Sequence, residues 1–173
     1  MVAIQAAGGS MQADGPVPAH ASQAADSLFA RHIEIAPTDT DESGVVYTPR
    51  IADFVVETVE TWFVDRLAMV LHANGRHMVF ASLSCTFLSP MRPRDGMEIR
   101  VALRRIGRSS LGFEIVGLRQ SDDRLCWMAE TVCVFIEPQS FRSRTIPPEL
   151  RQVLRAEADL AIRHPFADRT MGA

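Results

Sequence analysis

The hydrophobic period of the chain changes once, near Asn74-Gly75, and this change constrains the fold more than any other feature. Before it, apolar side chains recur at three- and four-residue steps from Ile51 to Phe63, while acidic side chains occupy the opposite face, as in an amphipathic helix. After it, apolar and polar residues alternate, which is the period of β-strands. The sequence therefore predicts one long helix followed by a run of strands.

Turn and capping residues set the expected bounds of these elements. Thr48-Pro49 predicts the start of the helix, because a threonine hydroxyl caps well and proline suits the first helical position. Asn74-Gly75 predicts its end. Strands are predicted before and after the helix, over residues 27–35, 78–88, 97–105, 111–120 and 124–136. The breaks between the last four are short enough for antiparallel hairpins, and Pro147-Pro148 opens a second amphipathic helix.

The length fits one domain in which a sheet buries the apolar face of the long helix. The chain has 173 residues, of which 47% are hydrophobic and 23% charged, as in ordinary globular proteins. Residues 1–25 are rich in Ala, Gly and Gln and predict a disordered tail. We expect the domain over residues 26–164 and a short C-terminal tail over 165–173. The fold class is α+β.

Composition and spacing exclude several classes of protein. A formal net charge of −3 disfavours nucleic-acid binding, and no apolar run approaches the length needed to cross a bilayer. Three cysteines form neither a disulfide framework nor a CxxC pair, so we expect inert thiols in a cytoplasmic protein. The five histidines lie apart from one another and from the cysteines, so no metal site is expected.

The loop before the long helix concentrates the chemistry of the chain. It reads Asp39-Thr40-Asp41-Glu42-Ser43-Gly44-Val45-Val46-Tyr47-Thr48-Pro49. Carboxylates are favourable before a helix start, where backbone N–H groups are unpaired, so these acids could simply cap the helix. The apolar residues that follow Gly44 indicate instead that the loop folds back against the core. The residues alone leave both interpretations open.

This loop resembles the signature of hotdog-fold acyl-CoA thioesterases of the 4-hydroxybenzoyl-CoA thioesterase type. The shared pattern is Asp-Thr-Asp-x-x-Gly-x-Val-Tyr ahead of a long helix, and the resemblance extends over about residues 29–144. It implies the hotdog fold, a five-stranded antiparallel sheet curled around one helix. It also implies hydrolysis of an acyl-CoA to the free acid and coenzyme A, with no further cofactor.

The resemblance assigns roles to residues of the loop. It makes Asp41 the catalytic carboxylate, acting as nucleophile or as general base on water. The backbone N–H near Thr48, at the helix start, would polarise the thioester carbonyl. Tyr47, with Val46 and Gly44, would lie beside the substrate channel, and Asp39 would hold the loop. We expect the Asp41 carboxylate to be buried where these amide dipoles converge.

The phosphates of coenzyme A require cations. The turn Arg104-Arg105-Ile106-Gly107-Arg108-Ser109-Ser110 and the segment Arg142-Ser143-Arg144 supply them. Similar proteins use these places for the nucleotide end of the substrate, so Arg105, Arg108, Ser109 and Arg144 are the candidate residues. Solvated surface arginines are the alternative interpretation.

Two positions depart from the pattern of the family. Many relatives carry an aromatic residue early in the helix and an acid two turns in, where this chain has Ile51 and Val56. Glu57 is adjacent to Val56 but lies about 100° around the helix. Asp41 would then act with the helix dipole alone, and a more apolar pocket favours a medium-chain or aromatic acyl group.

Two other functions fit the same fold. One is a hotdog hydratase or dehydratase, which would need a histidine near the loop, and none is there. The other is a non-catalytic protein that binds acyl thioesters. Whether coenzyme A or a carrier protein presents the acyl group stays open. The resemblance implies a homodimer or homotetramer with active sites that straddle two subunits.

Overall fold

A computed structural model describes residues 27–69 and 77–166 of the chain. The predicted tail over residues 1–25 and the predicted helix end at Asn74-Gly75 lie outside these residues, as does most of the expected C-terminal tail. Within them, the chain forms five strands, two α-helices and one short 3-10 helix. In order these are β1 (Phe29–Glu34), the 3-10 helix (Pro37–Asp39), α1 (Thr48–Leu67), β2 (His77–Phe87), β3 (Gly96–Ile106), β4 (Ser110–Arg119), β5 (Arg124–Ile136) and α2 (Pro148–Arg163).

All five strands join one antiparallel sheet in the order β1-β3-β4-β5-β2. The expected hairpin between β2 and β3 is wrong, because β2 pairs with β5 instead. The segment between β2 and β3 is held against the loop before α1, where the Val46 N–H donates to Met91 O at 2.9 Å and the Arg94 N–H to Ile35 O at 2.8 Å. These bonds carry the chain across the end of the sheet, so that β3 pairs beside β1.

Helix α1 lies against one face of the sheet and supplies the centre of the core. Its buried stripe includes Trp62 and Phe63, whose rings meet Phe113 of β4 edge to face at 5.0 and 5.6 Å between centroids. Aromatic pairs of this geometry add to the hydrophobic stabilisation of burial. The predicted α+β class, a five-stranded antiparallel sheet curled around one long helix with a C-terminal helix, is confirmed.

Both ends of α1 differ from the prediction. The N-cap is Tyr47, and Thr48 is the first helical residue without a capping hydrogen bond from its hydroxyl. The helix ends at Leu67 rather than at Asn74-Gly75, because Ala68 adopts a left-handed conformation with φ 48° and donates its N–H to Phe63 O. Helices that end in a left-handed residue usually have glycine or asparagine there, so the sequence around Ala68 did not predict this helix end.

Strand β2 is an edge strand with much exposed surface. It pairs only with β5 within the described sheet, so its other edge presents unpaired backbone groups. Leu83 and Phe87 are exposed although they share the strand face of the core residue Met78. Natural sheets cover or blunt such edges. This edge is accordingly a surface where a further strand could pair.

Candidate active site

Asp39 fixes the loop between the 3-10 helix and α1. Its Oδ2 accepts the N–H of Ala36 at 2.9 Å, and its Oδ1 accepts the Nε–H of Arg50 at 2.9 Å. The Asp39 carbonyl also accepts the N–H of Tyr47 at 2.8 Å. Arg50 reaches on to Asp53 at 2.6 Å and lies over the Phe54 ring. A buried carboxylate with these bonds joins both ends of the loop, which agrees with the structural role expected for Asp39.

Asp41 occupies a different environment from the one we expected. Its carboxylate is exposed in the single chain, so the expectation of a buried acid is wrong for one subunit alone. Its Oδ1 accepts hydrogen bonds from the hydroxyl and, at 2.8 Å, the N–H of Ser43. These two bonds from Ser43 hold the pKa of Asp41 below its usual range. The residue is therefore a solvated, ionised carboxylate at the turn of the loop.

An apolar cavity of about 280 Å³ opens beside the start of α1. Nine residues of the loop, of α1, of the end of β2 and of the segment after it line the cavity: Val45, Val46, Thr48, Ile51, Phe87, Leu88, Ser89, Pro90 and Met91. None of them is charged. Asp41 is tied to this wall, because its N–H donates to Val45 O at 3.0 Å. Asp41 therefore adjoins this wall through its backbone, and its side chain is not among the nine that line the cavity.

The backbone N–H groups at the start of α1 differ in whether they have a hydrogen-bond acceptor. The N–H of Tyr47 donates to Asp39 O and that of Arg50 to Tyr47 O, whereas Pro49 has none. Among the bonds of residues 27–69 and 77–166, no acceptor is found for the Thr48 N–H. A helix N-terminus with an unpaired N–H favours negative charge in its vicinity. Thr48 therefore brings an available donor to the wall of the cavity.

The other predicted loop residues are placed unequally. Val46 is buried, forms a bridge with Thr40 and lines the cavity, so the loop folds back on the core as expected. Gly44 adopts φ 74°, which glycine tolerates best, and does not line the cavity. Tyr47 is 53% exposed and likewise does not line it.

The helix offers this cavity no acid. Ile51 is buried in its wall, and Val56 is not among the lining residues. Glu57 pairs with Arg31 of β1, with 3.0 Å between Oε2 and Nη2. The residues that α1 contributes to the lining are Thr48 and Ile51.

The four residues expected at phosphates come together at one end of the sheet. Ser109 O accepts the N–H of Phe135 at 2.8 Å, and Phe135 O accepts the N–H of Arg144 at 2.7 Å. Arg108 O accepts the N–H of Ile146 at 2.8 Å, and Arg105 is near the end of β3 beside the same turn. The side chains of Arg105, Arg108 and Arg144 are exposed. We call these four residues the arginine cluster.

The arginine cluster and the cavity lie at opposite ends of the sheet. Phe87 at the cavity is in register with Trp127 and Gly117, while Leu111, next to the turn of the arginine cluster, is in register with Cys133. Gly117 and Leu111 are six residues apart on β4, which corresponds to about 20 Å along a strand. One chain therefore does not bring the carboxylate and the cluster into contact.

Other reactive groups do not add to the site. Burial raises the pKa of the Cys133 thiol to about 12 and also raises the pKa values of Cys85 and Cys126, so these thiols are poor nucleophiles. Within the described ranges, no group of His, Cys, Asp and Glu has the geometry of a metal site. No helix there combines the length and apolarity needed to span a bilayer.

The structure adds residues that the sequence did not indicate. The end of β2 contributes Phe87, and the segment after β2 contributes Leu88 and Met91, about 40 residues after the loop in the chain. Arg50 clamps Asp39, although an arginine in the first turn opposes the helix dipole and carried no signal for this role. Both depend on contacts between segments that are distant in sequence.

Comparison with known proteins places this arrangement in a family. The sequence profile of the Thioesterase-like superfamily matches residues 35–154, and the chain belongs to this family. The predicted enzyme class, a thioester hydrolase, is confirmed. The narrower 4-hydroxybenzoyl-CoA type stays a prediction. Comparison with curated protein sequences gives no match.

Solved structures share the fold at low identity. The PA5185 protein from Pseudomonas aeruginosa is 26% identical, with a TM-score of 0.70 over 76% of this chain and 92% of the other. Slr0204, a 1,4-dihydroxy-2-naphthoyl-CoA thioesterase from Synechocystis, is 17% identical, with a TM-score of 0.68 over 80% and 100%. SAV2348 from Staphylococcus aureus, solved in complex with CoA, is 11% identical, with a TM-score of 0.71 over 85% and 96%.

Proposed function

We propose that this protein is an acyl-CoA thioesterase that hydrolyses a medium-chain or aromatic acyl-CoA to the free acid and coenzyme A. The observation that carries the proposal is the available N–H of Thr48 in the wall of an apolar cavity, with the ionised Asp41 in the same loop as the lining residues Val45 and Val46. A thioesterase needs these parts, which are a donor for the developing oxyanion, an anionic nucleophile or base, and a place for the acyl group.

The chemistry can proceed in two ways at this carboxylate. As a nucleophile, an Asp41 oxygen bonds to the thioester carbon, the C–S bond breaks, and coenzyme A leaves as the thiolate and takes up a proton. Water then hydrolyses the mixed anhydride. As a general base, Asp41 takes a proton from water, the hydroxide attacks the same carbon, and the proton passes to the departing sulfur. In both cases the Thr48 N–H faces the carbonyl oxygen as its charge grows.

The lining of the cavity supports the choice of acyl group. Val45, Val46 and Ile51 face Phe87 and Leu88 across it, and no charged side chain contributes. A charged acyl group would lose its hydration here without an ion partner, which is unfavourable. The structural relative Slr0204 acts on an aromatic acyl-CoA. Neutral aliphatic or aromatic acyl groups therefore suit this site.

A second copy of the chain completes the site in our proposal. The free edge of β2 and the exposed Leu83, Phe87 and Leu88 form an apolar surface that continues into the cavity. Antiparallel pairing of β2 with the β2 of a second copy would cover this surface and reduce the contact of Asp41 with bulk water. The homodimer, or a tetramer made of two such dimers, is thus part of the proposed function.

The same pairing would also compensate for the distance between the cavity and the arginine cluster within one chain. Strand β2 runs from His77, at the end of the arginine cluster, to Phe87 at the cavity. A two-fold axis through an antiparallel β2–β2 contact would place the arginine cluster of one subunit on the side of the cavity of the other. Coenzyme A, whose thioester and phosphates are at opposite ends of the molecule, would extend across this contact. The CoA complex of the relative SAV2348 supports coenzyme A as the ligand.

Substitution of Asp41 tests the assignment directly. Asp41→Asn retains the shape of the side chain but cannot act as nucleophile or base, so we expect a fall in kcat of at least about a thousandfold with an unchanged melting temperature. Glu42→Gln, at the next and equally exposed acid, is the matched control and should keep wild-type turnover. A thiol reagent follows release of coenzyme A. Wild-type turnover of the Asp41 variant would refute the role.

A substrate panel separates the proposal from its alternatives. Short, medium, long and aromatic acyl-CoAs are compared, together with the same acyl groups on a carrier protein. Preference for medium or aromatic acyl-CoAs supports the proposal. Coenzyme A binding without hydrolysis of any thioester would identify a non-catalytic binding protein, and hydration of crotonyl-CoA would identify a hydratase. None of the described histidines lines the cavity, which disfavours the last outcome.

A further inference from the structure

Phe141 is exposed in a way that neither the core nor the candidate active site explains. Its side chain is 73% exposed, more than any other aromatic residue described. Of the other two exposed aromatic residues, Phe87 lines the cavity and Tyr47 is the N-cap of α1. Phe141 lies instead at the opposite end of the sheet, after β5. A single exposed phenylalanine is common on protein surfaces. The case for a function of Phe141 therefore depends on its backbone conformation and on the residues around it.

The backbone at Phe141 is strained. Its φ is 54°, in the left-handed region that bulky residues rarely adopt. A tight turn imposes this conformation, since the Phe141 N–H donates to Glu137 O at 2.8 Å and the Glu137 N–H donates to Arg142 O at 2.9 Å. Glycine or asparagine would fit this turn without strain. A strained residue at a surface turn is a pointer to function when its side chain has no structural task.

The turn that carries Phe141 adjoins the arginine cluster. The bridge between Ile136 and Ser143 closes it, and the next residue, Arg144, donates its N–H to Phe135, which also bonds Ser109. Arg142 follows Phe141 directly in the sequence and is also exposed. An exposed aromatic ring on a turn whose backbone is bonded to a segment with exposed arginines offers a stacking surface together with partners for phosphates, a combination by which proteins bind nucleotides through the face of the base.

We propose that the Phe141 ring stacks on the adenine of coenzyme A while the arginine cluster and Arg142 bind the phosphates of the same nucleotide. The inference rests on the proposed function, because it takes coenzyme A as the carrier of the acyl group. In this proposal the strained turn holds the Phe141 ring in solvent, where the ring can contact the adenine while the phosphates bind the arginine cluster. The ligand class is an adenosine 3′,5′-bisphosphate, the nucleotide end of coenzyme A.

Binding of free adenosine 3′,5′-bisphosphate to the full chain tests the contact without catalysis. Base stacking on an aromatic side chain is worth about 1–3 kcal/mol, so Phe141→Ala should weaken binding about tenfold in calorimetry. Phe141→Trp should restore it, and its indole fluorescence should be quenched by the nucleotide. Ile162→Ala, at an exposed apolar residue of α2, is the matched control and should bind as wild type. Equal affinity of Phe141→Ala and wild type would overturn the proposal.

Hydrolysis kinetics separate this inference from the proposed function. With an acyl-CoA, Phe141→Ala should raise KM about tenfold at unchanged kcat. With the same acyl group on pantetheine, which lacks the nucleotide, wild type and variant should be equal. Absence of hydrolysis in the wild type would refute the thioesterase while the calorimetry still decides the stacking contact. A Phe141→Ala effect that is equal for both substrates, or that appears as altered sedimentation, would place the ring in a subunit interface and refute stacking.

A stability measurement checks that the turn is built for its ring. Phe141→Gly removes the steric strain of the positive φ and removes the stacking surface at once. We expect this variant to melt at or above the temperature of the wild type and yet to bind the nucleotide as weakly as Phe141→Ala. A lower melting temperature together with unchanged nucleotide affinity would mean that the ring serves the fold alone.

Discussion

At the scale of single residues, two aspartates two positions apart have opposite tasks. Asp39 is buried and fully engaged with Ala36 and Arg50, so its carboxylate holds the loop closed. Asp41 is exposed, and its carboxylate accepts hydrogen bonds from Ser43 of its own turn. A catalytic carboxylate must approach substrate, whereas a structural one must not be free to move. The contrast in burial supports Asp41 as the reacting group and Asp39 as its support.

Ser43 should control the acid limb of the activity. Its hydroxyl and N–H bond the ionised Asp41 and hold the pKa of that carboxyl below its usual range. Asp41 acts only when ionised, so activity falls as pH drops through this pKa. Ser43→Ala removes the hydroxyl bond and raises the pKa, so the acid limb of kcat/KM moves to higher pH. The full rate profile between about pH 3 and 8 measures the shift.

The control for this prediction is the activity of both proteins on the plateau near neutral pH. Above the acid limb Asp41 is ionised in both proteins, so Ser43→Ala and wild type should approach similar rates there. A variant whose activity falls equally at every pH would contradict the argument, because that result would mean a change in geometry and not in ionisation. A limb that moves to lower pH would contradict the sign of the hydrogen-bond effect.

The sequence located these residues better than it described their surroundings. Spacing and glycine placed Asp41, Gly44 and Val46 in one loop, and the loop folds as expected because its bonds are local. The exposure of Asp41 was not predictable from that pattern. In our proposal the final exposure of Asp41 depends on a second subunit, which no local pattern specifies.

At the scale of elements, β4 can lie close to the indole of Trp127 because it has no side chain at Gly117. A Cβ there would collide with Cε2 and Nε1 of Trp127, which is fully buried on β5. We therefore expect Gly117→Ala to lower the free energy of unfolding by about 2 kcal/mol, because the indole has to move within a packed core. Denaturant unfolding followed by tryptophan fluorescence measures the change.

Gly112 on the same strand is the matched control for this substitution. A Cβ there would meet the Cβ of Arg105 at 3.3 Å and no buried ring, so a small movement of an exposed side chain suffices. Gly112→Ala should change stability much less than Gly117→Ala. Equal losses at both positions would attribute the effect to backbone flexibility and not to the indole.

Helix α2 carries a buried acid that should make stability depend on pH. Glu157 is buried near Arg66 of α1, with 3.7 Å between Oε2 and Nε, and desolvation raises its pKa despite this partner. A raised pKa in the folded state stabilises the fold below the pKa of the unfolded chain, and this contribution is lost as pH rises through the folded value. Glu157→Gln does not titrate and should lack this loss.

The measurement is the difference in unfolding free energy between Glu157→Gln and wild type at pH 4, 5.5 and 7. The difference should move in favour of the glutamine variant as pH rises, whatever its absolute value at pH 4. Asp159→Asn, at an exposed acid of the same helix, is the control and should give a difference that depends less on pH. A constant difference for Glu157→Gln would refute the raised pKa.

Elements were predictable where their signals are local. The bounds of β5 agree with the alternating pattern, and α1 begins within one residue of the predicted start, because each follows from neighbouring residues. The order of the strands was not predictable in this way. Pairing of β2 with β5 joins residues about 50 apart, and hairpin rules apply only to adjacent strands. The end of α1 at Ala68 depends on a left-handed alanine, which the sequence does not announce.

At the scale of the whole molecule, the proposed dimer accounts for the distance between the cavity and the arginine cluster. One end of the sheet carries the cavity and Asp41, and the other carries the arginine cluster, about 20 Å away along the strands. The free edge of β2 connects the two ends. In an isologous dimer, each patch meets the complementary patch of its partner, so two equivalent composite sites form at once.

A complementation experiment decides whether the site is shared between subunits. Asp41→Asn lacks the reacting carboxylate, and a triple variant at Arg105, Arg108 and Arg144 (each to Ala) lacks the cations for coenzyme A. Each homodimer should be nearly inactive at substrate concentrations below KM. When the two are mixed, dissociated and reassociated, half of the dimers are mixed, and each mixed dimer holds one site with both an intact carboxylate and intact arginines. Activity should then recover to about a quarter of wild type.

The same mixture distinguishes the shared site from a site within one chain. If Asp41 worked with the arginines of its own subunit, every site of a mixed dimer would lack one of the two parts, and mixing would restore nothing. Leu83→Lys, which places a charge in the middle of the β2 edge, supplies the control, because it should prevent pairing and abolish the recovery. Sedimentation of each sample establishes that mixed dimers have formed, so that absence of recovery in their presence would refute the shared site.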